Sequence, residues 1–112
     1  MPRDYKVYLQ DVVDAAGKVR SYTTGQSFKA FSEDTKTVDA VVRNLEVIGE
    51  AIKQVPDDFR SKHADVEWKK IAGLRDILVH QYFGVDVEII WDIVQNKLPA
   101  LEAQIRKIIE EA

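Results

Sequence analysis

Apolar residues recur at helical spacing along almost the whole chain, and nowhere do they alternate as a half-buried strand requires. Tyr5, Leu9, Val12, Val13 and Ala16 follow one stripe and predict a first helix over about Pro2 to Ser21, with Gly17 weakening it slightly. Tyr22-Thr23-Thr24-Gly25 reads as a turn, and Ser27 as the N-cap of a short helical piece anchored by Phe28 and Phe31. A second long helix starts at Asp34 or Thr35 and runs to about Val55, its core stripe being Val38, Val41, Leu45, Ile48 and Ile52. Arg43 and Glu46 are spaced to pair on its surface. Pro56-Asp57-Asp58 ends it and opens a short turn carrying Phe59, and residues His63 to Asp65 connect onward.

A further helix is expected from about Val66 to Tyr82, with Trp68, Ile71, Leu74, Leu78 and Val79 as its apolar face and Gly84 as its stop. Asp86 then caps the last helix, where Val87, Ile90, Trp91, Val94, Leu98, Leu101, Ile105, Ile108 and Ile109 stay in phase. Pro99 removes one helical hydrogen bond, and because the stripe continues across it a kink is expected rather than a break. The expected fold is all-α: one domain over residues 1–112, an antiparallel bundle of four main helices plus short pieces.

Composition narrows the chemistry. With 46% hydrophobic and 31% charged residues, the balance is that of a soluble globular protein. The absence of cysteine excludes disulfides and thiolate metal sites. His63 and His80 are the only histidines and no zinc-type spacing occurs, so no metal and no cofactor is expected. No signal-peptide pattern opens the chain and no apolar run approaches the roughly 20 residues of a membrane span. A cytoplasmic protein without membrane contact is therefore expected. The net charge is −3, yet Arg60, Lys62, Lys69, Lys70 and Arg75 outnumber Asp65, Glu67 and Asp76 between residues 60 and 80, a local excess that could attract phosphate.

Inside that excess lies Arg75-Asp76-Ile77-Leu78-Val79-His80-Gln81-Tyr82, a cation, a carboxylate, an imidazole and a phenol within a hydrophobic pattern. The guanidinium stays charged and suits phosphate, and the imidazole can move a proton near neutral pH. Together they could cut RNA, and they could equally be a structural polar layer. On an ideal helix Trp68 and Tyr82 fall within about 20° of Arg75, so Arg75 lies in the apolar face, while His80 falls about 140° away. The two meet only if the helix loosens or a second chain supplies one of them. Ile89 and Ile93, off the main stripe of the last helix, would be exposed on a monomer and suggest a contact surface between copies.

With this motif on a late helix of a helical bundle, the chain resembles the HEPN superfamily and, within it, the HepT-like toxins. Their pattern of Arg, Asn or Asp, three residues, His, one residue and Tyr is matched by Arg75, Asp76, His80 and Tyr82. Val42-Arg43-Asn44-Leu45-Glu46-Val47-Ile48-Gly49-Glu50-Ala51 and Trp68-Lys69-Lys70-Ile71-Ala72-Gly73-Leu74 extend the likeness, which covers nearly the whole chain. The resemblance implies a homodimer with a composite cleft and a metal-independent endoribonuclease acting on RNA. It further implies a cognate minimal nucleotidyltransferase as antitoxin, able to silence the toxin by adenylating Tyr82. Arg75, His80 and Asp76 are then the expected catalytic set. The other class open to this sequence is a non-catalytic HEPN-type module that binds a nucleotide or a partner.

Overall fold

The computed structural model describes residues 4–79 and 86–111, and all regular structure among them is helical. Helix α1 spans Tyr5–Thr23, α2 Phe28–Glu33, α3 Thr35–Lys53, α4 Asp57–Ser61, α5 Trp68–Ala72 and α6 Leu74–Val79. The C-terminal helical run comprises α7 (Val87–Asp92), one π turn (Ile93–Lys97) and α8 (Leu98–Glu111).

Helix starts are set by short polar side chains that satisfy otherwise unpaired N–H groups. The Asp4 carboxylate accepts from Lys6 N at 2.9 Å, Ser27 Oγ from Ala30 N at 3.1 Å and Asp34 Oδ1 from Thr37 N at 3.1 Å. Asp86 Oδ1 accepts from Glu88 N at 3.0 Å and Ile89 N at 3.3 Å. Thr37 Oγ1 also donates to Asp34 Oδ2, and these bonds hold the Asp34 carboxyl below the usual carboxylate range. Helix α1 runs two residues past its expected end, and Gly25, at φ +80°, makes the reversal into α2, a conformation that side chains with a Cβ resist.

The expected stripes are the core. Leu9, Val12, Val13 and Ala16 of α1 are buried, as are Val38, Val41, Leu45, Ile48 and Ile52 of α3, and Ile90, Val94, Leu98, Leu101, Ile105 and Ile108 of the last run. Each large aliphatic so buried contributes about 1.5–3 kcal/mol. Helix α1 packs mainly on α3 and α8, α2 braces α3 and α7, and α5 and α6 lie against α3. Tyr5, at the start of α1, meets Phe59 beyond the end of α3, with ring centroids 4.4 Å apart. Arg20, near the end of α1, meets Glu102 near the start of α8. Both contacts fit α1 lying antiparallel to its two principal neighbours.

Three expectations change. The described part of the helix expected over residues 66–82 is two short helices separated at Gly73, which has low helical propensity, and it begins at Trp68, while the expected end at 80–84 lies outside the described residues. A π turn that was not expected stands just before Pro99, where a kink was expected. There Leu98 N donates to Ile93 O, five residues back, and this wider turn makes room for a ring that would otherwise press on the carbonyl of residue 95. Finally, Ile93 is half-buried against the core, whereas Ile89 is exposed as expected.

Candidate functional site

The segment bearing the motif is held to the core from one side. The Trp68 indole is buried and its Nε1 donates to His63 O at 2.9 Å, fixing α5 to the connector that precedes it. Leu74 and Leu78 are buried one turn apart and seat α6 against α3. Leu74 is buried and Asp76 exposed on either side of position 75, and the expectation that Arg75 lies in the apolar face falls on a side chain outside the described residues.

Asp76 sits in the first turn of α6, where the helix dipole favours a negative charge. It is exposed. Ile77, beside it, is one of the most exposed large apolar residues at 45%. His80 and Tyr82 lie outside the described residues, as does the side chain of Arg75.

The other histidine, His63, lies tilted against Phe59, with ring centroids 4.8 Å apart, in the connector after α4. The local positive excess is also partly spent internally. Arg60 Nη2 donates to Ile52 O at 2.6 Å near the end of α3, and Lys70 Nζ is 2.7 Å from Glu67 Oε2. That last pairing, a hydrogen bond reinforced by charge, lowers the Glu67 pKa and raises that of Lys70.

Glu50 faces a polar cleft of about 630 Å³ between α1 and α3, together with Tyr8, Asp11, Arg43, Glu46 and Gln54. Its Oε1 lies 3.6 Å from Lys53 Nζ. Arg43 and Glu46, spaced to pair, form no ion pair with each other. A second cluster was not visible in sequence. Glu102 is buried and receives Arg20 Nη1 on both oxygens, at 2.6 Å on Oε2, and Arg106 Nε and Nη2 on Oε2 at 3.2 and 3.1 Å. Burial pushes its pKa up, but the hydrogen bonds and charges of the two arginines outweigh this and hold it below the usual range. Arg106 could be found from its i, i+4 spacing, but Arg20 is 82 residues away.

The family described as Ribonuclease HepT-like matches residues 12–108, from the middle of α1 to the last turns of α8, with the whole Arg75–Tyr82 motif inside. The chain belongs to this family of the HEPN superfamily. Three relatives match along nearly their full length. The chain is 46% identical to "Putative RNase MJ0127" of Methanocaldococcus jannaschii, over 99% of this chain and 93% of that protein. It is 41% identical to "Probable ribonuclease HepT" of Thermococcus cleftensis, over 96% and 98%. It is 42% identical to "Putative RNase TTE0752" of Caldanaerobacter subterraneus, over 93% of each. No solved structure matches. Among the described residues of this HepT-like chain, no helix is long and apolar enough to cross a membrane.

Proposed function

We propose that this protein is a metal-independent endoribonuclease toxin, a single domain over residues 1–112 that works as a cytoplasmic homodimer of helical bundles. The observation that carries the reading is the family match over residues 12–108, within which Arg75, Asp76, His80 and Tyr82 stand at the family's motif spacing. The exposed apolar side chains Ile77 and Ile89 support an interface near the motif.

The chemistry follows from the side chains. The ribose 2′-hydroxyl loses its proton as its oxygen attacks the adjacent phosphorus, and the 5′-oxygen of the next nucleotide leaves and takes up a proton. The products are a 2′,3′-cyclic phosphate and a 5′-hydroxyl. His80 transfers the proton as base, and its copy across the dimer serves as acid. Arg75 binds the phosphate and the charge that builds on it in the transition state. Asp76, which α6 leaves exposed, orients Arg75 or the imidazole.

Tyr82 lines the cleft. An adenylate placed on its hydroxyl by a cognate minimal nucleotidyltransferase fills the cleft with an anion that Arg75 binds in place of RNA, which makes that enzyme an antitoxin. The test is cleavage of RNA in the presence of a chelator, with the new ends identified. Cyclic phosphate ends formed under chelation support the reading. Dependence on added metal, or no cleavage by a folded dimer, overturns it and leaves a binding module.

A further inference from the structure

We propose that the cavity between the end of α1 and the π turn binds a mononucleotide, with Arg20 and Arg106 holding its phosphate. This site is separate from the Arg75–Tyr82 motif and does not depend on the nuclease reading.

The argument starts from an excess of cation. One buried carboxylate, Glu102, is shared by two guanidiniums whose side chains remain 62% and 53% exposed. A single arginine would neutralise it, so the group carries a surplus positive charge. A guanidinium has five N–H donors, and Glu102 engages only Nη1 of Arg20 and Nε and Nη2 of Arg106. Arg20 Nε and Nη2 and Arg106 Nη1 have no partner among the described residues. Both arginines are therefore anchored on Glu102, line the same cavity and keep donors that Glu102 does not use, which suits an anion with several oxygens.

The concavity beside them sets the ligand's size. It measures about 480 Å³, within the range of small-molecule sites and larger than a phosphate needs. Its wall joins an apolar part, Ala16, Val19, Val94, Leu98 and Pro99, to a polar part that includes Thr23, Thr24 and Gln26. Gln95, exposed on the π turn, adds an amide with no hydrogen-bond partner among the described residues. The apolar part suits the face of a base, and the amide suits its polar edge. The π turn itself forms part of the wall, and such turns recur at functional sites in helices.

Calorimetric titration of the intact protein with AMP, adenosine and inorganic phosphate tests this. AMP should bind saturably, and adenosine and phosphate far more weakly. Arg20→Gln and Arg106→Gln should each weaken AMP about tenfold or more, the loss of a charged hydrogen bond. Ala103→Leu, which fills the cavity and leaves every charge in place, should abolish binding. The Arg75→Ala/His80→Ala protein should keep full affinity, which separates this site from the motif. No saturable binding at millimolar AMP overturns the proposal. So does full affinity in Ala103→Leu, phosphate binding as tightly as AMP, or loss of binding in the motif variant.

Discussion

The two halves of this molecule are built to different rules. Helices α1, α3 and α8 are long and present continuous apolar stripes to one another, with polar residues outside. The α5–α6 segment is two short helices broken at Gly73, seated by buried Trp68, Leu74 and Leu78 and half-buried Ile71 and Ala72, with Asp76 and Ile77 turned out. Short helices gain little from their own hydrogen bonds and depend on what they pack against. Stability is therefore lodged in the long helices, and the candidate chemistry is carried by a segment that borrows it. A protein so divided can change its site without dismantling its core.

Substitutions in each half should separate the two roles. The largest effect is expected from His80→Ala, which should cut RNA cleavage by about 10² to 10⁴-fold while the thermal midpoint stays put. A variant that unfolds earlier would place His80 in the structural half. Next comes Leu45→Ala in the middle of α3, where the side chain is wholly buried. Its unfolding free energy, from denaturant titration, should drop by about 2–5 kcal/mol. Cleavage per folded molecule should be unchanged, and a selective loss of activity would erase the boundary between the halves.

Trp68→Phe probes the seam. It removes the indole donor to His63 O, with an expected loss of about 1 kcal/mol and a larger relative loss of activity than Leu45→Ala. Equal loss of stability with untouched activity would show that the anchoring of α5 does not matter to the site. The smallest effect concerns Glu102. Its folded pKa lies below the ordinary 4.5, so its contribution is present above that value and fades as pH falls through the depressed one. Below about pH 4.5 the wild-type midpoint should therefore fall more steeply than that of Glu102→Gln, as read by thermal melts across pH. Parallel slopes would remove the Arg20–Glu102–Arg106 group from the acid response.

Periodicity made most of the fold readable in advance. The α3 stripe from Val38 to Ile52 follows from the 3.6-residue repeat, and Ser27, Asp34 and Asp86 announce helix starts by their side-chain oxygens. Irregularities inside helices were harder to see. Buried Val94, Leu98 and Leu101 follow one another at ordinary helical spacing across the π turn before Pro99, so the residue pattern did not announce the widened turn. The break at Gly73 hides because Trp68, Leu74 and Leu78 are buried either way. The candidate site was legible as a motif, since Arg75, Asp76, His80 and Tyr82 are close in sequence. The Arg20–Glu102 pair was not, because only the packing of α1 on α8 brings the two together.

The central claim is that Arg75 and His80 from two subunits build one cleft. Mixing wild-type protein with inactive His80→Ala protein in varied proportion, with subunit exchange verified by mass, tests it most directly. The account predicts that RNA cleavage falls with the square of the wild-type fraction, because a mixed dimer lacks either its base or its acid. Cleavage that falls only in simple proportion to the wild-type fraction, with mixed dimers formed, would contradict it.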